Sequence, residues 1–168
     1  MENELEIRLA DADDINTIGY LAQQIWPAAY KDILSPSQLE YMLNLIYSPE
    51  ALKQQMNQQH QFLIAVLGEE PVGFASYSSA GDEGVYKLHK LYVAPQLHGK
   101  GLGKALLDFI IEEIISLGAT TLRLNMNRDN KAKNFYQRSG FIIIKEEDID
   151  IGNNYFMNDY VMEKKLKV

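Results

Sequence analysis

The sequence predicts an α/β protein of one domain, and three observations carry that expectation. Its 168 residues fall in the range of one domain, which at that size buries roughly 70% of the surface an unfolded chain exposes. Apolar residues recur at helical spacing through the first third, and from Gln61 onward strand-like runs alternate with helix-like ones. No linker, repeat or low-complexity tract interrupts the chain, so one domain over residues 1–168 is expected.

A short strand is expected around Leu5 to Leu9. It is followed by an amphipathic helix from Asp13 to Trp26, where Ile15, Ile18, Leu21, Ala22 and Ile25 share a face behind an acidic start that suits the helix dipole. Ser35-Pro36 opens a second helix through Ile46, with Leu39, Met42, Leu43 and Ile46 on one stripe, and Ser48-Pro49-Glu50 opens a third. FLIAVL, a turn at Gly68 to Pro71, and VGFASYSS read as a hairpin, and VYKLHKLYV as a further strand closing at Ala94-Pro95. The strongest helix runs from Leu102 to Leu117, with Leu106, Leu107, Ile110, Ile111, Ile114 and Ile115 periodic and Gly118 as its stop. The strand TTLRLNMN, a helix near Asn130 to Ser139, and the terminal strands FIIIKEEDIDI and YFMNDYVMEKKL complete the order.

Composition removes several classes of function. A formal charge of −7 lacks the basic footprint that displaces counterions from nucleic acid; it suits a cationic substrate, or solubility alone. With no cysteine, there is neither a thiol nucleophile nor a Cys-ligated metal site, and His60, His89 and His98 lack zinc-ligand spacing. No apolar run is long enough to cross a bilayer, and the N-terminus is acidic where a signal peptide would be basic, so a cytoplasmic protein is expected.

The most informative stretch is LYVAPQLHGKGLGKALL, a strand leading through His98, Gly99, Lys100, Gly101, Leu102, Gly103 and Lys104 into the long helix. Glycines let backbone approach a ligand, and the free amides and dipole of a helix start favour a phosphate. A Walker loop needs four residues between its glycine and the Gly-Lys-Ser/Thr; here three separate Gly99 from Gly103, and Ala105 follows Lys104. The dinucleotide fingerprint needs a third glycine at position 104. A glycine-rich turn with no ligand remains the alternative on this loop alone.

Downstream, NRDNKAKNFYQRSGF carries Asn130, Ala132, Tyr136, Gly140 and Phe141. With the glycine loop before it, this segment resembles the GNAT acetyltransferases, whose loop reads Arg/Gln-x-x-Gly-x-Gly and precedes an Asn…Ala…Tyr…Gly-Phe segment. The likeness covers roughly residues 60 to 168, with His98 standing where the family carries Arg or Gln. The tail EEDIDIGNNYFMNDYVMEK is similar to bacterial polyamine acetyltransferases. The resemblance implies a mixed central sheet with helices on both faces and acetyl-CoA as co-substrate. It also implies a primary amine acceptor, either small or on a protein, and a family in which homodimers are common.

Acetyl transfer from a thioester to an amine needs a neutral amine, a stabilised carbonyl oxygen and an escape for the thiolate. By resemblance, the backbone of Leu91, Tyr92 and Val93 holds the pantetheine arm and the thioester oxygen, while Asn130 joins the loop in binding the cofactor. Tyr136 matches the tyrosine that protonates the leaving thiolate, a phenol that stays protonated at neutral pH; its alternative is a packed ring that only bonds the cofactor. His89 is the first candidate for the base, with a water relay or Glu83 as alternatives. Trp26 and Tyr30 are expected to line the acceptor pocket, since aromatic rings attract an amine cation, whereas Tyr41 is expected in the core. The acidic run Glu146 to Asp150 reads as a solvated strand face. The missing cysteine favours direct transfer over an acetyl-enzyme. The rival is a CoA-binding sensor without catalysis.

Overall fold

The computed structural model describes residues 4–167. After β1 (Leu5–Ala10) come a 3-10 turn (Ala12–Asp14) and three helices, α1 (Ile15–Tyr30), α2 (Pro36–Tyr47) and α3 (Pro49–Asn57). Strands β2 (Gln61–Leu67), β3 (Glu70–Ser79) and β4 (Val85–Val93) lead to helix α4 (Leu102–Ser116). The chain then forms β5 (Thr121–Asn127), α5 (Ala132–Arg138), β6 (Ile142–Gly152) and β7 (Tyr155–Lys165). The fold is therefore mixed α/β, as expected, with a seven-stranded sheet ordered β1-β2-β3-β4-β5-β7-β6.

Pairing is antiparallel for β1/β2, β2/β3, β5/β7 and β6/β7 and parallel for β4/β5. A parallel neighbour requires a crossover, and α4 supplies it. The chain divides into two compact units. One takes the described residues up to Ser78 with Lys90–Ile110, and the other takes Ser79–His89 with the described residues from Ile111 onward.

In the first unit, Asp11 and Asp14 turn the chain from β1 into α1. The Asp11 side chain accepts from the Asp13 amide at 2.9 Å, and Asp14 accepts from the Asp11 amide at 3.0 Å. The Arg8 guanidinium, 2.8 Å from Asp14, holds that carboxyl below its ordinary range. Ser35 and Ser48 each accept an amide of the first helical turn at 3.1 Å, just ahead of a proline whose missing N–H has no use there. The core of this unit draws on Ile18, Leu21 and Ile25 of α1, Phe62, Leu63 and Ile64 of β2, and Phe74 of β3.

Two of the boundaries that differ from the sequence pattern involve a proline. Helix α1 does not stop at Trp26 but continues through Pro27 to Tyr30. Proline inside a helix removes a backbone hydrogen bond, yet Tyr30 is 8% exposed, and the packing of its ring holds the last turn. Strand β3 begins at Glu70 and includes Pro71, which pairs with Val66 next to a register shift at Ala65/Val66. Proline is tolerated in a strand at such an irregularity. Tyr41 is only half-buried, and Tyr47 takes the core position instead.

The second unit is built on the β5, β7 and β6 ladder. Arg123 of β5 lies opposite Glu163 of β7 and pairs with it at 2.7 Å. Glu146, Asp148 and Asp150 are exposed, as the acidic run predicted, and Arg128 bonds both Glu146 and Asp148.

Candidate active site

Strand β4 leaves the sheet at Val93 and enters a 3-10 turn over Pro95–Leu97. His98 then folds back so that its Nε2 stands 2.9 Å from the Val93 carbonyl. A carbonyl can only accept, so Nε2 carries the proton and donates. The histidine at the head of the loop thus ties it to the end of β4.

Gly99 and Gly101 sit at φ of 81° and 82°, a backbone that side chains disfavour. A Cβ built on either would meet nothing within 4 Å. The glycines are therefore required by the turn, and the space above them is open to a ligand. The first hydrogen bond of α4 runs from the Ala105 amide to the Gly101 carbonyl at 3.0 Å. The amides of Gly101, Leu102, Gly103 and Lys104 consequently have no acceptor inside the helix, which leaves four donors at its positive end. Lys100 is exposed, whereas Lys104 is drawn to Asp108 at 2.7 Å, so part of its charge is answered within the helix.

The aromatic residues singled out from the sequence meet in the same unit. Trp26 and Tyr30, four apart on α1, have ring centroids 4.6 Å apart, and Trp26 lies 5.8 Å from Tyr92 and 5.4 Å from Tyr47. The hydroxyls of Tyr30 and Tyr92 are 2.9 Å apart. Gly73 of β3 lets this region close: a Cβ there would stand 2.7 Å from the Tyr92 carbonyl. Leu91 and Tyr92 are half-buried and Val93 is buried.

Sequence reasoning missed Lys90. It alternates with Tyr92 on one face of β4, is 7% exposed, and donates to Gln55 Oε1 at 2.7 Å. The Tyr47 and Phe62 rings lie 5.6 and 5.3 Å from its Nζ. Burial depresses its pKa from 10.5 to about 8. Burial, followed by the nearby Tyr30 phenol, pushes the Tyr47 phenol well above its ordinary value; the Trp26 indole opposes the rise from outside hydrogen-bond geometry. A lysine in register with Leu88 and Tyr92 on one face of β4 was the signal available.

The remaining candidates belong to the second unit. Tyr136 on α5 is 8% exposed and packs edge-on against Phe135 at 5.1 Å and Phe141 at 5.5 Å. Asn130 Oδ1 accepts from the Ala132 amide at 2.9 Å, so this side chain caps the start of α5. His89 is half-buried on β4, one residue past Leu88, which pairs with Leu124 of β5, and Glu83 is exposed in the turn before β4. Asp159 of β7, unremarked in the sequence, is 1% exposed and shares the Asn125 side-chain amide with Glu147, at 3.3 and 3.0 Å. Burial raises its pKa above the ordinary carboxyl value.

Comparison with known proteins gives a consistent picture. The acetyltransferase (GNAT) domain model matches residues 30–160. A spermidine N(1)-acetyltransferase of Thermoplasma acidophilum is 29% identical over 167 residues, covering 96% of this chain and 97% of its own. A ribosomal protein bS18-alanine N-acetyltransferase of Haemophilus influenzae is 28% identical over 120 residues, 71% of this chain and 77% of its own. The crystal structure of a PaiA N-acetyltransferase from Thermoplasma acidophilum in complex with coenzyme A superposes with a TM-score of 0.81 at 27% identity, covering 96% of this chain and 99% of that one.

Proposed function

Because this chain belongs to the GNAT acetyltransferase family, we propose that this acetyl-CoA-dependent N-acetyltransferase carries the acetyl group directly to a primary amine in a ternary complex. The observation that carries the reading is the loop between β4 and α4. It offers four helix-start amides beneath two glycines with open space above them, which suits a pyrophosphate. The reading takes the whole chain as one catalytic domain, supported by a family match that reaches into both units.

In this reading, His98 through Lys104 hold the pyrophosphate, the backbone of Leu91, Tyr92 and Val93 takes the pantetheine arm, and Asn130 shapes the adjoining turn. The acceptor nitrogen forms a bond to the thioester carbon as the carbon–sulfur bond breaks. Tyr136 delivers its proton to the departing sulfur, and His89 receives the proton the amine must lose. Trp26 and Tyr30 face the acceptor. The likeness to a spermidine acetyltransferase supports a polyamine acceptor, and the likeness to a bS18-alanine acetyltransferase supports a protein amine. The test is thiol release from acetyl-CoA across a panel of amines. Thiol should appear only when an amine is present. A protein that binds acetyl-CoA yet releases no thiol with any amine is a CoA-binding module instead.

A further inference from the structure

The end of β4 is gripped by residues that neither the glycine loop nor Tyr136 accounts for. In β3, Gly73 pairs with Ala65 and Pro71 with Val66, so Val72 between them is the extra residue of a bulge. Its carbonyl accepts from the Ala94 amide at 2.8 Å. A Cβ on Gly73 would stand 2.7 Å from the Tyr92 carbonyl oxygen and 3.4 Å from the Val93 Cα. The β4 backbone therefore fills the space that a side chain at position 73 would need, the close approach that a strand glycine permits. Gly73 is not among the positive-φ glycines, so it supplies room rather than an unusual conformation. The Tyr92 side chain is held as well. Its hydroxyl lies 2.9 Å from that of Tyr30 on α1, and its ring lies 5.8 and 5.6 Å from those of Trp26 and Phe74. One residue is thus fixed by its backbone from β3 and by its side chain from α1. Such a grip matters where a backbone strand must meet a reacting group, because stabilisation of a developing oxyanion depends on distance and a misplacement of about 1 Å costs about 10²-fold.

Resting on the reading that the backbone of Leu91, Tyr92 and Val93 takes the acetyl-CoA arm, we propose that Gly73 and Tyr30 are positioning residues for acetyl transfer. Gly73 sets the path of the β4 backbone, and the Tyr30 hydroxyl holds Tyr92 on that path. Both act through Tyr92 on the aim of the strand at the thioester, whichever amine is acetylated.

The test uses the full-length protein with Gly73→Ala, Tyr30→Phe, Tyr92→Phe and the double substitution Tyr30→Phe/Tyr92→Phe. The first readout needs no turnover. The carbon-13 shift of carbonyl-labelled acetyl-CoA, bound without an amine, reports hydrogen bonding to the thioester oxygen. It should move downfield on binding to wild type and return part of the way in each variant. Acetyl-CoA affinity by calorimetry should stay within about threefold, because the glycine loop is untouched. The second readout is single-turnover transfer at saturating acetyl-CoA. Gly73→Ala should lose about tenfold or more, and Tyr30→Phe about threefold to tenfold, by the same factor for spermidine as for the amino terminus of a peptide. Tyr30→Phe keeps the ring proposed to face the acceptor, so only the hydroxyl pair is broken. The double variant should be no slower than the slower of its two single variants, since both lose one shared bond. The two tyrosine variants decide the matter if Gly73→Ala fails to fold. A wild-type carbon-13 shift in folded Gly73→Ala or Tyr30→Phe overturns that residue's role. A loss confined to one acceptor overturns it too, as the residue would then touch the amine, and additive losses in the double variant overturn the role of Tyr30. If wild type acetylates no amine, the enzymatic reading fails on its own. The carbon-13 shifts then still decide the positioning, and a bound shift equal to that of free acetyl-CoA overturns it.

Discussion

Burying an amine without a counter-charge is costly, and Lys90 shows the cost as a depressed pKa. A fall from 10.5 to about 8 corresponds to about 3 kcal/mol against the charged form. The sign is opposite to that of a salt-bridged lysine. Below pH 8 both folded and unfolded chains hold the proton and the penalty is complete. Between pH 8 and 10.5 the folded chain gives it up first, so this residue's contribution becomes less unfavourable as pH rises. Lys90→Met should therefore stabilise the protein by about 1–3 kcal/mol at pH 7, after allowing for the lost Gln55 bond. The advantage should shrink toward pH 10.5, as urea melts of both proteins across that range would reveal. A difference independent of pH would mean the ammonium is better solvated than its burial implies. Tyr136→Phe keeps a ring packed between Phe135 and Phe141 and removes only the hydroxyl. Single-turnover transfer should fall about 10²–10⁴-fold with acetyl-CoA affinity nearly unchanged; a wild-type rate would remove Tyr136 as the acid. His89→Gln should lose the acidic limb of the kcat/KM profile and recover at high pH, where free amine is plentiful. If both rate and limb persist, a water relay replaces it.

At the scale of elements, the proposed cofactor site lies where β4 passes into α4. The loop suits a phosphate because its glycines accept backbone angles that others resist and because the helix begins with unanswered amides. Gly101→Asp introduces strain of about 1–2 kcal/mol, too little to unfold a domain of ordinary stability. It also sets a negative charge where the proposed pyrophosphate would lie. Gly103→Asp acts through charge at the helix start, since Gly103 is not among the positive-φ glycines. Calorimetry should find acetyl-CoA binding abolished in both folded variants, and unchanged affinity would move the cofactor elsewhere. His98 adds a tether, since its bond to the Val93 carbonyl joins the loop to the last residue of the strand.

For the molecule as a whole, ligand binding and stability are linked. Acetyl-CoA at one hundred times its Kd should stabilise the fold by about 2.7 kcal/mol, or about 5–10 °C in Tm for a chain of this size. Gly101→Asp should show no such shift. Much of this was open to inspection in the sequence alone. VYKLHKLYV is β4 to the residue, and α4 begins at Leu102 as its periodicity predicted. The Ser-Pro starts of α2 and α3 also fell where expected. Such features are local: caps, glycine angles and hydrophobic spacing act within a few residues of themselves. Tertiary packing decided that α1 continues through Pro27, because Tyr30 gains a buried place beyond it. It also brought α2, α3 and β2 together around Lys90 of β4. Whether a lysine is solvated or stranded among rings depends on which distant side chains meet it. That is a matter of packing and desolvation, which spacing along a chain does not encode.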